Sequence, residues 1–274
     1  MPLKQCVVLP TVNPKMDLAV DALDELKAIG FKAIEIWGRE PGYEAVFEAA
    51  RSKGFVIASM VGHEHANEAE GGHAEGFSRR RNHERLEAEL RESIDIAVRW
   101  GMPGIITLSG RRNPGESDDE AMRICAEGLR RIAPYAEEKG VNLNMELLNS
   151  TLDHPHYLCD RTDWAIGLCE LVDSPRVKIL YDIYHMQIME GNLCSRIRKA
   201  ARWIGHFHTA GVPGRHELDD EQEINYPGVC RAINATGYDL FLGHEFFAKG
   251  DPLDALRQAY DQCNVQGGSD EHRF

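Results

Sequence analysis

The feature that most constrains the fold is an alternation of short apolar runs with longer amphipathic stretches along the 274 residues. Eight of the short runs have the length and the β-branched or apolar content of buried strands. Most of the stretches between them have the periodicity of helices that bury one face. Strands that alternate with helices build a parallel sheet, and eight such units favour a closed barrel. We therefore predict an α/β fold, a single (β/α)8 TIM barrel.

The same pattern predicts where the individual elements lie. Strands are expected over residues 6–9, 33–36, 56–59, 104–108, 143–146, 177–181, 204–208 and 240–243. Helical periodicity is clear over residues 18–29, 82–100, 118–139, 164–172, 226–236 and 253–263, and it is weaker after the second and sixth strands. Glycines in the position of left-handed caps mark several helix ends, namely Gly30, Gly54, Gly101, Gly140 and Gly237.

The domain organisation follows from the length and from the lack of a Pro/Gly/Ser-rich linker in the sequence. Residues 1–263 are expected to form one barrel. Residues 264–274 have the Gly-Gly-Ser-Asp-Glu composition of a flexible tail. The segment 62–82 is long for a strand-to-helix loop, so it should lie over the end of the barrel where active sites are built. Whether it acts as a lid is left open.

Charge and composition exclude several classes of partner and cofactor. The net charge of −13 and the pI near 5.4 repel phosphate backbones, so nucleic acid is not expected to bind. No apolar run approaches the roughly 20 residues that span a bilayer, so no membrane association is expected. No Gly-x-Gly-x-x-Gly follows the first strand, and we expect no nicotinamide, flavin or nucleotide cofactor.

The expected location is cytoplasmic. The seven cysteines are scattered and include no Cys-x-x-Cys pair, which argues against a disulfide framework and a zinc finger. The first ten residues lead directly into a strand-like segment and lack the charged and apolar regions of an export signal.

Four polar clusters each follow an apolar run, and each cluster offers one good ligand for a cation. These ligands are Glu146, Asp182, His208 and Glu245. Their intervals are close to the roughly 30 residues per strand-plus-helix unit that a barrel of about 250 residues implies. Side chains at the same end of successive parallel strands converge. Two glutamates, an aspartate and a histidine would bind one Mn or Mg ion and leave positions open for substrate.

Each of these residues also has a plainer structural interpretation. Glu146 and Glu245 would be costly to bury at strand ends unless they bind a cation or pair with an arginine or lysine. Asp182 and His185 both reach the mouth of the barrel if the chain turns after the sixth strand. Asp-x-x-His alone is weak evidence for a site.

The remaining polar residues near these strands divide into structural and functional candidates. His206 shares a face with His208, and we expect it to pack lower in the barrel. His244 faces away from its neighbour Glu245 and is expected to be structural. Arg215 lies in a turn-rich loop after the seventh strand, where it either holds a substrate oxygen or is an ordinary surface arginine.

Four motifs resemble the hydroxypyruvate isomerase branch of the xylose isomerase-like barrel superfamily. They are Met-Glu-Leu-Leu-Asn at 145–149, Tyr-Asp-Ile-Tyr-His-Met-Gln at 181–187, His-Thr-Ala-Gly-Val-Pro-Gly-Arg-His-Glu at 208–217 and Gly-His-Glu-Phe at 243–246. The resemblance implies that Glu146 and Glu245 are the acid/base pair. It also implies that these two, with Asp182 and His208, bind Mn or Mg. His185 and Arg215 match substrate-contacting positions.

The function expected is that of a divalent-metal-dependent isomerase of small α-hydroxycarbonyl compounds, with hydroxypyruvate as the first candidate. One glutamate would remove a proton beside the carbonyl and the other would return it, through an enediolate. A ketose 3-epimerase, or another sugar epimerase or lyase, would use the same groups. An apurinic endonuclease-type hydrolase is less expected, because it normally requires more metal ligands and a basic groove. A barrel that binds a ligand without catalysis is a further alternative. A homo-oligomer is left open.

Overall fold

Eight parallel strands form one continuous sheet in the part of the chain that the structure describes, and the sheet curls into a nearly closed barrel. The computed structural model describes residues 2–13, 15–64 and 75–265. The strands are β1 (Lys4–Val8), β2 (Ala33–Ile36), β3 (Val56–Met60), β4 (Gly104–Thr107), β5 (Asn142–Glu146), β6 (Val177–Asp182), β7 (Ile204–Thr209) and β8 (Phe241–His244). The prediction of a (β/α)8 barrel is therefore confirmed.

The barrel closes between β3 and β4. The strand order is β3-β2-β1-β8-β7-β6-β5-β4, so these two strands are the ends of the hydrogen-bonded sheet. Val61 and Ile106 form an isolated parallel bridge there, and the Gly62 amide donates to the Ile106 carbonyl at 2.9 Å. Closer to the amino-terminal ends of the same two strands, the Ser59 hydroxyl donates to the Gly104 carbonyl at 3.2 Å. A few contacts thus replace a regular ladder.

Helices follow most of the strands and cover the outside of the barrel. In the described ranges they are α1 (Leu9–Val12), α2 (Met16–Asp21), α3 (Leu23–Ile29), α4 (Tyr43–Ser52), α5 (His83–Trp100), α6 (Asp118–Lys139), α7 (Thr162–Val172), α8 (Ile183–Met189), α9 (Leu193–Ala200), α10 (Tyr226–Ala235) and α11 (Pro252–Cys263). No helix of the described ranges is both long enough and apolar enough to cross a membrane.

Local chemistry explains the ends of the longest helix, α6. The Ser117 side chain accepts a hydrogen bond from the Glu120 amide at 3.2 Å, which satisfies one of the free donors of the first turn. Acidic residues at 118–120 add favourable charge at the positive end of the helix dipole. Gly140 ends the helix with φ of 73°, as the sequence predicted, and the other four predicted cap glycines also have positive φ.

Two predictions near the amino terminus were wrong. The helix expected over 18–29 is two helices, because the Ala22 amide bonds back three residues to the Ala19 carbonyl and tightens the chain between α2 and α3. Leu9 was assigned to the first strand but begins α1. Pro10 follows it, and a residue without an N–H group fits the first turn of a helix better than a strand ladder.

Two expectations about mobile segments fall mainly on undescribed residues. The core of the possible lid, residues 65–74 of the 62–82 segment, lies outside the described residues. So do residues 266–274 of the predicted tail.

A bulge at Gly205 shapes the interior of the barrel below the strand ends. The register between β6 and β7 shifts so that Gly205 is an extra residue between the pairs Ile179↔Ile204 and Leu180↔His206. A Cβ atom at Gly205 would lie 2.1 Å from the side-chain oxygen of Asn144. Only glycine therefore fits beside the Asn144 amide at this point.

We predict that Gly205→Ala lowers the free energy of unfolding by ~1–3 kcal/mol through overpacking. Urea unfolding is the measurement. Gly250→Ala is the matched control, because a Cβ there meets nothing within 4 Å. Combining Gly205→Ala with Asn144→Ala should cost less than the sum of the two single changes, since the second removes the nearest of the groups that clash. Strict additivity would contradict this explanation.

Candidate active site

The ends of β5, β6, β7 and β8 bring four predicted ligands together. Glu146 and Asp182 are the last residues of their strands, His208 is the next-to-last residue of β7, and Glu245 directly follows β8. The register pairs Asp182 with His208, which holds them at one level of the barrel. All four side chains are buried, and their ligand atoms lie within 4.8 Å of one another. The predicted convergence is present in the structure.

His208 presents one ring nitrogen to this group of acids. Its Nδ1 lies 3.2 Å from Glu245 Oε2, 3.5 Å from Glu146 Oε1 and 4.0 Å from Asp182 Oδ2. It has no hydrogen-bond partner of good geometry among the described residues, although it is buried. A buried polar atom without a partner is costly, and a cation between these four groups would give it one. The donor set of three carboxylates and an imidazole suits Mn or Mg.

Glu35 is a part of this region that the sequence analysis missed. It lies in the middle of β2, where its neighbours Ile34 and Ile36 suggest an ordinary buried strand. Its carboxylate accepts hydrogen bonds from His208 Nε2 at 2.5 Å and from His206 Nε2 at 2.7 Å. Burial raises its pKa, but the two imidazoles lower it more, to about 2. A charged residue inside an apolar strand was the signal that could have revealed it.

The two flanking histidines have structural partners, in agreement with the sequence-based expectation. His206 is bonded to Glu35 below the four-residue group. His244 is fully buried, with its Nδ1 2.8 Å from the Thr209 hydroxyl and its Nε2 2.8 Å from the Gln5 side-chain oxygen. Burial, helped by the charge of His208, lowers the pKa of His244 to about 3, so the ring is neutral.

Glu245 is held from two sides. The Trp37 indole donates to its Oε1 at 2.6 Å, and the Arg215 guanidinium donates to its Oε2 at 2.6 Å. Burial raises the pKa of Glu245, but Arg215 and His208 outweigh this and hold it well below the usual range. Glu245 is therefore a fixed carboxylate. The Glu146 carboxylate lies against His208, with Oε1 3.5 Å from Nδ1.

Arg215 lies within the site and not on the surface of its loop. Its backbone has φ of 59°, a left-handed conformation that is uncommon outside glycine. Hydrogen bonds hold that conformation, because the Arg215 amide donates to the Gly211 carbonyl and the Arg215 carbonyl accepts from the Phe247 amide. Its Nε is buried without a partner among the described residues. The residue as a whole lines the cavity above the site.

Burial has a strong effect on the ionisation of Asp182. Burial raises its pKa to about 7. The cations Arg215 and His208 oppose the shift, and the neighbouring carboxylates add to it. Its Oδ1 also accepts from the His185 amide at 3.0 Å, so the side chain caps α8. That cap turns the chain directly after β6. The sequence analysis required such a turn for Asp182 and His185 to reach the same end of the barrel.

His185 lies behind Asp182. It is fully buried, its Nδ1 accepts from the Asn149 amide at 2.8 Å, and its Nε2 is 3.7 Å from Asp182 Oδ2. Burial, together with the charge of Arg215, lowers its pKa well below the usual value, so the ring is neutral. It is not one of the residues that line the cavity above the site. Its assignment as a substrate contact stays a prediction.

A cavity of about 940 Å³ opens above the four residues. Glu146, His208, Arg215 and Glu245 form part of its polar wall, and His154, which the sequence analysis also missed, lies beside them. Apolar side chains form much of the remaining wall, including Val61, Ile106, Leu108, Leu148, Trp37 and Phe247. An apolar cavity with a few convergent polar groups is the usual form of a small-molecule site.

Comparison with known proteins identifies the class of barrel. The family model of the xylose isomerase-like TIM barrel matches residues 23–263, and the chain belongs to this family. A putative hydroxypyruvate isomerase of Homo sapiens is 30% identical over 239 residues, which are 83% of this chain and 83% of the relative. A 2-oxo-tetronate isomerase of Pectobacterium atrosepticum is 33% identical over 172 residues, which are 61% and 65% of the two chains.

Solved structures share the fold at lower identity. An AP endonuclease, family 2, from Brucella melitensis superposes with a TM-score of 0.78 at 24% identity, over 93% of this chain and 97% of that one. An L-ribulose 3-epimerase gives a TM-score of 0.75 at 18% identity, over 95% and 93%. Identities this low show the common barrel, and function has to be argued from the site.

We predict that Asp182→Asn stabilises the protein without added metal, and that the gain depends on pH. The asparagine keeps an oxygen that can accept from the His185 amide. Because the folded pKa of about 7 lies above the ordinary 3.8, the wild type loses stability as pH rises through this range. The advantage of the variant should grow by ~1.4 kcal/mol per pH unit and level off above about pH 7. Urea unfolding at several pH values tests this, and a pH-independent difference would contradict it.

Proposed function

We propose that the protein is a divalent-metal-dependent isomerase of small α-hydroxycarbonyl compounds. The observation that carries the proposal is the cluster of Glu146, Asp182, His208 and Glu245, with the buried His208 Nδ1 facing three carboxylates. The isomerase class is supported by the relatives, which include proteins named hydroxypyruvate isomerase and 2-oxo-tetronate isomerase at 26–33% identity.

The four residues would hold one Mn or Mg ion. The resident ion would stabilise the negative charge that develops on the substrate oxygens when a neighbouring carbon loses a proton. His208 would bind through Nδ1 and would have to lose any proton there. The neighbouring acids Glu35 and Glu245 raise its pKa well above the usual value, although burial acts in the opposite direction. Loading of the site is therefore expected to release protons.

The two glutamates are suited to moving the proton. Glu146 ends β5 and Glu245 directly follows β8, and the His208 ring lies within 3.5 Å of both. Trp37 and Arg215 hold the Glu245 carboxylate at a defined position, which a base beside the reacting carbon requires. Glu146 then acts from another side of the reacting carbons. Removal by one glutamate and return by the other changes the position or the configuration of a hydroxyl without net redox change.

Hydroxypyruvate is the first candidate substrate because Arg215 provides a permanent charge for its carboxylate. Arg215 lines the cavity, and its planar guanidinium is the donor that such a group would use. A proton would leave C3 and another would be added at C2, with the hydroxyl proton moving to the former carbonyl oxygen. The product is tartronate semialdehyde, and atoms and electrons balance without a co-reactant.

A larger ketose or sugar acid is the second candidate, and the outer part of the cavity favours it. Trp37 and Phe247 are 38% and 46% exposed, and their ring centroids are 6.2 Å apart. Both line the cavity, and the Trp37 indole is bonded to Glu245. Exposed aromatic faces beside a reacting group suit the carbon chain of a sugar. A three-carbon substrate bound at Glu146 and Glu245 would leave much of the 940 Å³ unused.

We predict that Glu146→Gln and Glu245→Gln each lower turnover by roughly 10²-fold or more, because each removes one of the two proton-transfer groups. The measurement is exchange of substrate hydrogen with solvent deuterium, in parallel with Mn content of the purified variants. Loss of exchange in a variant that retains Mn separates proton transfer from metal binding.

Near wild-type exchange in either variant would refute the role of that glutamate. Cleavage of DNA with abasic sites, with hydroxypyruvate and a ketose panel untouched, would refute the isomerase proposal itself.

Phe247→Ala tests substrate size. We expect it to lower kcat/KM for a six-carbon ketose by roughly three- to tenfold, the range of one aromatic contact, and to leave hydroxypyruvate turnover nearly unchanged. The Phe247 contacts to Arg215 and His216 are made by its backbone, so the substitution spares them. Leu152→Ala, a change at another exposed apolar residue that is not among the cavity-lining residues, is the control. Equal losses for both substrates would show that the aromatic pair does not select for length.

A further inference from the structure

A buried carboxylate under the site controls which nitrogen of His208 faces the four-residue group. We propose that Glu35 is a positioning residue that orients His208 and keeps the proton of its ring on Nε2, so that Nδ1 is free to bind a cation. The inference rests on the proposed function, because it assumes that His208 is a metal ligand. It concerns a residue outside that ligand set.

The geometry leaves the His208 ring little freedom. Glu35 reaches across the barrel from β2 to β7, and its Oε1 lies 2.5 Å from His208 Nε2. An ionised carboxylate can only accept, so the nitrogen that faces it must carry the hydrogen. The opposite nitrogen, Nδ1, then points at the carboxylates of Glu146 and Glu245. Ring orientation and tautomer are both determined by one contact.

The surroundings of Glu35 favour this one arrangement. Its second oxygen accepts from His206 Nε2 at 2.7 Å, which holds the carboxylate from the other side. A Cβ atom at Gly243 would lie 2.9 Å from Glu35 Oε1 and 3.0 Å from His208 Cδ2, so the glycine of β8 leaves the room that the pair occupies. Glu35 is 1% exposed, and water does not compete for the contact.

The nearby thiol does not make this cluster a second metal site. Cys6, Glu35 and His206 offer ligand atoms within 4.8 Å of one another. Both oxygens of Glu35 are already used by imidazole N–H groups. Burial, reinforced by the charge of Glu35, raises the pKa of the Cys6 thiol well above its usual value, so it remains neutral. The cluster is a network that supports His208 from below.

Glutamine at position 35 would change which groups of the network donate hydrogen bonds and which accept them. Its amide nitrogen donates, so one of the two imidazoles would have to accept and carry its proton on Nδ1 instead. If His208 is that ring, its Nδ1 lone pair is lost. Removal of the side chain by Glu35→Ala frees the ring to rotate and leaves its Nε2 unpaired. Glu35→Ala should therefore weaken metal binding, and so should Glu35→Gln when its amide nitrogen faces His208, although neither change touches any of the four ligand residues.

The decisive experiment measures Mn²⁺ affinity by titration calorimetry on chelator-treated full-length protein. Glu35→Gln and Glu35→Ala are expected to weaken binding by roughly 10- to 100-fold, the usual effect of losing the partner of a ligating histidine. Gln5→Leu is the matched control, because it breaks a similar buried bond to His244, which lies outside the four-residue group. Its affinity should stay within about twofold of the wild type.

A second readout does not depend on metal. Spectra of ¹⁵N-histidine-labelled protein, assigned with His208→Gln, should show a His208 Nε2–H that exchanges slowly with solvent in the wild type. The same signal should be lost or exchange fast in Glu35→Ala. If Glu35→Ala does not fold, the isosteric glutamine variant and the wild-type spectrum are sufficient.

Wild-type affinity in folded Glu35→Ala, or in Glu35→Gln when its spectrum shows the His208 proton on Nδ1, would overturn the inference, and so would a rapidly exchanging Nε2–H in the wild type. Failure of the wild type to bind Mn²⁺ or Mg²⁺ would refute the proposed function, while the exchange measurement would still decide whether Glu35 holds His208.

Discussion

Compensation of buried negative charge is the constraint on which the site depends. Three carboxylates converge at the end of the barrel, and a fourth, Glu35, lies beneath them. Such a group is stable only where cations alternate with the anions. His208 lies between Glu35 and Glu245, and Arg215 contacts the other side of Glu245. Burial raises the pKa of Asp182 to about 7 even though the charges of Arg215 and His208 oppose the shift, so this carboxyl lacks the stabilisation that solvent would give it.

The barrel places these charges by simple means. Parallel strands end at one level, so residues far apart in the chain meet there. Two glycines refine the placement, since Gly205 makes room for Asn144 at the bulge in β7 and Gly243 makes room for the Glu35–His208 contact. The loop after β7 then turns Arg215 back over the site in a left-handed conformation. The two glycines give up side-chain packing, and Arg215 adopts an unfavourable backbone conformation, in order to place these groups. Such local costs are common around functional groups.

The site separates a chemical layer from a recognition layer. The inner layer of acids, His208 and Arg215 is suited to moving a proton next to a carbonyl. The outer layer, with Trp37 and Phe247, is apolar and partly exposed. In the proposed function the outer wall would select the substrate and the inner wall would carry out the reaction.

The sequence by itself determined the barrel and the four converging residues, because strand-helix periodicity and polar residues at strand ends are local patterns. It also predicted the separate environments of His206 and His244 from the alternation of side chains along a strand. Only the tertiary structure decided the roles of Glu35 and Trp37, since both lie in or beside an ordinary-looking strand and act on residues about 170 to 210 positions away. It likewise placed His185 behind Asp182 and Arg215 against Glu245. Contacts across a barrel depend on register, bulges and the space left by glycines, and no local pattern records them.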